Sequence, residues 1–456
     1  MDLALIAVIG LVALALLFDF TNGFHDAANS VGTVVATRAL PVKWAPAFSA
    51  FFNFAALFIV GTAVANTVSK TVDKSAATVA VIFAALFAAI AWNYITWFVG
   101  MPSSSSHAII GGLVGAGLAA GGMDVIAWDS VKKTALFIVV SPLVAFIVAF
   151  LIMYLIWGIQ KLFKMHDDHP VFKGAQLVSA AALSFGHGAN DAQKTMGVIG
   201  ALLLGAGYIE MDGKTLGIPL WVEIAAYTSI AIGTLWGGWK IIETMGLKIT
   251  TLHANSGAAA NVGASVSIFG ATYGWLFGFH APISTTHAAA SSVVGAGVAS
   301  GKGANWKVVG EMVIAWIVTI PAAGTVAFLV YWLTQLPTIL AWIAVGALLI
   351  AFGSWVIWAM RHSVHADDIA AEIPSDQELD EFDTDPVPHL VGGGPVGEGH
   401  GLNLHLNQPE TATGLDEAPP SSSTPGPERV RQHRHTAAAH NPIGLCAAAV
   451  WATLRQ

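Results

Sequence analysis

Four short polar motifs sit inside apolar surroundings, and most of the chain's chemistry is concentrated in them. Asn22 leads into GFHDAANSVG (23–32), which supplies His25, Asp26 and Asn29; GANDAQKTMG (188–197) supplies Asn190, Asp191, Gln193 and Lys194. PSSSSHAIIGGLVGAG (102–117) and PISTTHAAASSVVGAG (282–297) each run from a proline through hydroxyl residues to a histidine and then a small-residue stretch. Carboxylate and amide oxygens are hard donors that suit sodium or another hard cation. A buried carboxylate can instead take up a proton when burial raises its pKa. Either route makes Asp26 and Asp191 candidates for ion coupling. The hydroxyl motifs point to the opposite charge. Pro suits the first helical position and Ser or Thr the cap beside it. A helix start of that kind presents unpaired N–H groups and a positive dipole end to an anion. Ser103, Ser104, Ser105 and Ser106 add hydroxyls in one motif, and Ser284, Thr285 and Thr286 in the other. Hydroxyls both donate and accept, so they can follow an oxyanion as its protonation changes. Lys194 could neutralise Asp191 or sit against the anion. His25, His107, His187 and His287 could relay protons, since histidine titrates near neutral pH. Asn255 and Asn261, at helical breaks before the second hydroxyl motif, are weaker candidates to line the cavity.

Composition fixes where such motifs must sit. Hydrophobic residues make up 55% of the chain and charged residues only 11%, too few to clothe a soluble domain of this length. Apolar runs of about 20 residues, the length that crosses a bilayer core, recur near 3–19, 44–66, 76–99, 134–158, 219–238, 307–333 and 338–360, with a further span expected over 174–204. Polar backbone and ionisable groups at membrane depth are expensive, so these motifs are functional-site candidates by default. The stretch after each hydroxyl motif is short for a span, which favours a re-entrant hairpin. Ser/Thr-Gly-Ala runs also let helices pack closely, but packing alone does not ask for two copies, each opened by Pro and closed by His.

The motifs repeat in order. Asp26 falls on Asp191, Ser30 on Thr195 and Gly32 on Gly197; Pro102 falls on Pro282, Ser104 on Ser284, His107 on His287 and Gly115 on Gly295. A duplicated all-α polytopic membrane protein follows, with a first repeat over 1–160, a polar linker over 161–173, a second repeat over 174–361 and a tail over 362–456. The tail holds 14 acidic against 4 basic residues and is rich in Pro and Gly, so it reads as disordered, and the rest of the chain carries the opposite balance, 14 against 16. That balance argues against nucleic acid as a partner. One cysteine, Cys446, excludes a disulfide framework. No Gly-rich nucleotide loop ending in Lys-Ser/Thr occurs, which removes ATP-driven transport within this chain.

Together GFHDAANSVGT, GHGANDAQK, PSSSSHA and PISTTHA resemble the inorganic phosphate transporter family of secondary carriers, over essentially residues 1–360. The resemblance implies inverted-topology halves, two re-entrant helical hairpins, a central site, a multi-pass place in the cell membrane and a homodimer. It implies cation positions at Asp26, Asn29, Asn190 and Asp191, and phosphate positions at Ser104, Ser105, Ser106, Ser284, Thr285 and Thr286. His25, Lys194, His107 and His287 are the charge or proton-relay positions. His25 stands where many members have Asn, and Lys194 likewise. In this the chain resembles bacterial low-affinity carriers, which are driven by protons and take phosphate with a divalent metal. The expectation is therefore a proton-coupled phosphate carrier with no cofactor. A sodium-coupled phosphate or sulfate permease is the near alternative, and an anion channel or a membrane hydrolase the distant ones. Matched broken helices at the midplane are what alternating access needs; neither a channel nor a hydrolase requires them.

Overall fold

The computed structural model describes residues 3–373 apart from 74–75, 214, 276–277 and 279, all within one compact unit. Its elements are α1 (Leu3–Asp26), α2 (Ala28–Ala36), α3 (Ala45–Ala55), α4 (Ala63–Ser69), α5 (Val79–Val99), α6 (Ser105–Gly121), α7 (Trp128–Phe163), α8 (Pro170–Gly205), α9 (Leu220–Trp236), α10 (Trp239–Glu243), α11 (Ala254–Thr272), α12 (Thr285–Ala299), α13 (Trp306–Thr334), α14 (Thr338–Arg361) and α15 (Ala366–Glu372). The only described strands form a two-residue ladder, Met211–Asp212 against Thr215–Leu216. Among the described residues, six helices are long and apolar enough to cross a membrane, or seven if one bent pair is a single span.

That bent pair falls on the apolar run expected over 44–66 and shows the run to be broken. α3, with a 3-10 turn to Phe58, meets α4 at 90°. The break survives because a side chain from another helix satisfies it. The Gln193 Oε1 accepts from the N–H groups of Val64 (2.8 Å) and Ala65 (3.3 Å), the otherwise orphaned donors at the start of α4. The stretch expected to span over 174–204 lies within α8, which carries GANDAQKTMG intact and buried at its middle and is not one of the six apolar helices. The linker expected over 161–173 shortens to 164–169, because α7 runs on to Phe163 and Pro170 opens α8 at a position where its missing N–H costs nothing.

The packing is repeated across the chain. α6 and α12 lie back along α5 and α11, the helices that precede them, and each then packs on a long helix of the other half: α6 on α13, α12 on α7. Small residues make this close approach possible. A Cβ on Gly112 would stand 2.7 Å from the Ala85 carbonyl, and one on Gly295 would stand 2.5 Å from that of Phe146. α7 and α13 each carry an internal proline, Pro142 and Pro321. α14 packs differently. Only Ala359 along it is buried, as suits a helix facing lipid tails.

Helical structure continues past Arg361. α15 lies in the segment read as tail, with Ile369 fully buried, and the Arg38 guanidinium donates to the Ile373 carbonyl at 3.0 Å. Its acidic character misled the reading: Asp367 and Asp368 are helix-start residues, and Asp368 caps back onto the His365 N–H at 2.8 Å. Residues 374–456, the remainder of that tail, lie outside the described residues.

Candidate functional site

Each hydroxyl motif turns from extended chain into a helix, and the turn residue is the capping serine. Ser104 Oγ accepts from the His107 N–H at 3.2 Å, and Ser284 Oγ accepts from the His287 N–H at 3.1 Å. Ser105 and Ser106 therefore open α6, and Thr285 and Thr286 open α12, where backbone N–H groups have no partner within the helix. The two helix starts meet. Ser106 Oγ donates to the Ile283 carbonyl (2.7 Å), one position before the cap of α12. Both starts then converge on one carboxylate. Asp26 Oδ1 accepts from Ser105 (3.3 Å) and Thr286 (3.1 Å), and its Oδ2 accepts from Thr285 (3.2 Å). Thr285 also reaches Asp191 Oδ2 at 3.4 Å, so a single hydroxyl links the two carboxylates. Asn29 donates to both Thr285 and Thr286 at 3.2 Å, orienting their oxygens. Hydroxyl donors from two helix N-termini thus surround the oxygens of an anionic group, which is the geometry an oxyanion requires.

Asp26 sits where α1 breaks into α2, and His25 beside it gives Nδ1 to Asp26 Oδ1 at 2.7 Å. The far side of that ring meets Thr96 Oγ1 (3.0 Å) and Ser103 Oγ (3.3 Å). Asp191 is more heavily compensated. Asn22 donates to it at 3.2 Å, His187 Nε2 lies at 3.5 Å and Lys194 Nζ at 2.5 Å. Lys194 is fully buried, and its ammonium is also bonded by Ser106 Oγ and the Ile283 carbonyl. Three oxygens around one tethered positive charge make Lys194 a built-in cation. Asp26, His187 and Asp191 can each offer a ligand atom within 4.8 Å of the others, a donor set of two carboxylates and one imidazole that suits a divalent ion.

Not every expected residue joins this cluster. Asn190 holds the loop that leads into α12: it donates to Thr272 Oγ1 (2.9 Å) and the Ala281 carbonyl (3.2 Å), and accepts from the Ile283 N–H (3.2 Å). His107 and His287 pair with each other, ring centres 4.6 Å apart, and His287 stacks on Trp316; neither is hydrogen-bonded to a carboxylate. Asn261 accepts from Thr33 (2.9 Å) and Asn255 binds Asp167 (2.9 Å), so both join elements and do not line the carboxylate cluster. Sequence reading missed Asp19, Asn53 and Thr96. Asn53 meets His187 Nδ1 at 3.2 Å, and Asp19 is wholly buried. The signal for Asp19 was available: an acid inside an apolar run, seven residues and so two helical turns before Asp26.

Comparison with known proteins agrees with this geometry. Residues 22–327 match the model of the phosphate transporter family. A probable low-affinity inorganic phosphate transporter of Rhizobium meliloti (strain 1021) is 45% identical over 337 residues, covering 73% of this chain and 98% of that protein. One of Bacillus subtilis (strain 168) is 39% identical over 339 residues, covering 74% and 99%. Among solved structures, a sodium-dependent phosphate transporter superposes with a TM-score of 0.62 at 26% identity, covering 72% of this chain and 99% of that one. The four motifs, their convergence on one buried site and these matches lead to one conclusion: this chain is a multi-pass membrane protein that belongs to the phosphate transporter family.

Proposed function

We propose that this chain is a secondary carrier that moves inorganic phosphate across the cell membrane, coupled to protons and taking phosphate together with a divalent metal. It is a carrier and not an enzyme, as the names of its relatives indicate. One observation carries the reading: the hydroxyl-lined starts of α6 and α12 converge on the Asp26 carboxylate. Phosphate, a larger oxyanion, takes the same hydroxyls and the helix-start N–H groups of Ser105, Ser106, Thr285 and Thr286. Ser104 and Ser284 hold those helix starts in place. Asp26, His187 and Asp191 receive the metal that travels with phosphate as cargo.

The charge count supports protons over sodium. Asp26 and Asp191 face one fixed cation, Lys194, and phosphate brings further negative charge, so positive charge must enter with it. Lys194 already fills a three-oxygen cation position with its own ammonium. Inverted-topology halves that rock about this site would give alternating access, in a homodimer. Sodium coupling is the second reading, favoured by the likeness to the sodium-dependent structure.

Uptake of labelled phosphate and sulfate into proteoliposomes, with proton and sodium gradients imposed separately, tests both. The expected result is phosphate accumulation driven by the proton gradient, lost on chelation of divalent metal and indifferent to sodium. Accumulation that requires sodium and survives collapse of the proton gradient would overturn the coupling, and preferential sulfate uptake would overturn the substrate.

A further inference from the structure

We propose that Asp19, a residue outside the phosphate site, is the carboxyl group that carries the coupling proton. The proposal rests on the proton-coupled reading above and gives that proton an address. Among the described residues, three carboxylates, Asp19, Asp26 and Asp191, are buried in the helical core, and they differ in how their charge is met. Asp191 has Lys194 and Asn22; Asp26 has His25 and three hydroxyls. Asp19 has no ion pair and no formed hydrogen bond among the described residues: it is fully buried, and neither oxygen meets a partner at bonding geometry. An ionised carboxylate left that way is far more costly than a neutral carboxyl.

The atoms around it define what is missing. Asn22, one helical turn along α1, and Thr195 of α8 are the polar side chains within reach of the Asp19 carboxyl, but neither is set at hydrogen-bond geometry to its oxygens. Asn22 Oδ1 and Thr195 Oγ1 are themselves buried and unpartnered. Asn22 Oδ1 can only accept. A carboxylate offers it no donor, so the two oxygens repel; a protonated Asp19 supplies the O–H. Thr195 can then donate to the other carboxyl oxygen. One proton satisfies the group with no ligand beyond these three side chains. A metal ion would need several more oxygens than these side chains supply; the charged groups whose fields reach Asp19 are Asp191 and Lys194, of opposite sign. From α9 the facing titratable group is Tyr227, whose hydroxyl is also buried and unpartnered. On α5, Tyr94 packs against Phe24. Among the described residues, no fixed cation is bonded to Asp19.

Asn22 connects the two sites. Its Nδ2 donates to Asp191 Oδ2 while its Oδ1 awaits a donor, so protonating Asp19 pulls on the same amide that holds a carboxylate of the phosphate site. That is a short physical route from proton to cargo.

The test uses the full chain in proteoliposomes with three readouts: phosphate accumulation under a pH gradient, phosphate–phosphate exchange without one, and protons entering per phosphate. Asp19→Asn should keep exchange, lose accumulation and lower the proton-to-phosphate ratio, while Asp19→Glu should retain coupling. In the wild type, a hydrophobic carbodiimide, which reacts with protonated buried carboxyls, should form an adduct at Asp19 that diminishes as pH rises. This holds even if Asp19→Asn fails to fold. A wild type driven by sodium alone removes the proton-coupled reading and this proposal with it. A proton-driven wild type whose Asp19→Asn variant keeps the same proton-to-phosphate ratio overturns this proposal alone, as does absence of an Asp19 adduct. Loss of magnesium stimulation in Asp19→Asn with pH-gradient drive intact would reassign the group to a metal.

Discussion

Replacing Lys194 by asparagine removes an ammonium that Asp191, Ser106 and the Ile283 carbonyl hold among them, and puts a neutral amide in its place. Breaking a buried pair by removing one partner costs about 3–5 kcal/mol, because the other charge is left uncompensated. Lys194→Asn should therefore lower the thermal midpoint in detergent. Sodium should restore it in the variant but not affect the wild type, since a small cation can occupy the oxygens that the ammonium leaves. Thr285→Ala is the matching test on the anion side. Thr285 bridges Asp26 and Asp191, and losing a hydrogen bond to a charged group costs about 1.5–3 kcal/mol, or roughly tenfold or more in phosphate affinity. Thr285→Ser keeps the hydroxyl and should restore most of that affinity, which concentration-dependent uptake would read. At this scale the sequence exposes any polar residue that stands in a repeated motif, and Asp26, Asp191 and the hydroxyl runs were legible for that reason. Asp19 was visible only as a lone acid in an apolar run: it has no counterpart motif, and its burial comes from the packing of α1 against α8 and α9. His107 and His287 show the converse. Their repetition is plain in the sequence, but only the structure reveals that they pair with each other.

Helix boundaries were legible where a capping hydroxyl marked them, as at Ser104 and Ser284, whereas the start of α8 at Pro170 was placed four residues late. They were not legible where the deciding group came from elsewhere in the chain. The turn between α3 and α4 depends on Gln193 from α8, and no local pattern in 44–66 announces it. The short helices make a testable case for packing over propensity. Ala is about 1 kcal/mol better than Gly inside an open helix. At Gly112 and Gly295, however, the added methyl would meet a carbonyl of a neighbouring helix at 2.7 and 2.5 Å, and overpacking of that kind costs about 1–3 kcal/mol. Gly10 of α1 has nothing within 4 Å of its would-be Cβ. Gly112→Ala and Gly295→Ala should thus lower the thermal midpoint and uptake together, while Gly10→Ala leaves both unchanged or slightly improved. Equal tolerance at all three positions would mean that α6 and α12 are not held against their neighbours.

For the whole molecule, the segment between the two repeats is a structural joint, and it is built from charge. Asp167 and Asp168, in the linker between α7 and α8, cap the start of α11. Asp168 accepts from His253 Nδ1 and from the Ala254 N–H, both at 2.9 Å, and Asp167 accepts from Asn255 Nδ2 at 2.9 Å. Acids at a helix N-terminus are favoured by the dipole and by the orphan N–H groups. Burial alone would lower the His253 pKa, but the hydrogen bond and charge of Asp168, with a contribution from Asp167, outweigh it and raise the pKa above the ordinary histidine value. Burial alone would raise Asp168, but its bonds to His253 and Ala254 hold it below the ordinary carboxylate value. The signs then set a window. The His253 contribution is fully present below about pH 6.5, the unfolded-state value, and is lost as pH rises through the raised folded value. The Asp168 contribution is fully present above about pH 3.9 and is lost as pH falls through its lowered folded value. Between those limits the joint is tightest, and on the alkaline side it loosens. Thermal midpoints of the purified protein measured across this range should fall as His253 loses its proton. His253→Gln should flatten that limb and leave the acid limb in place, whereas Asp168→Asn should flatten both. A wild-type alkaline limb that persists unchanged in His253→Gln would show that some other group holds the two halves together.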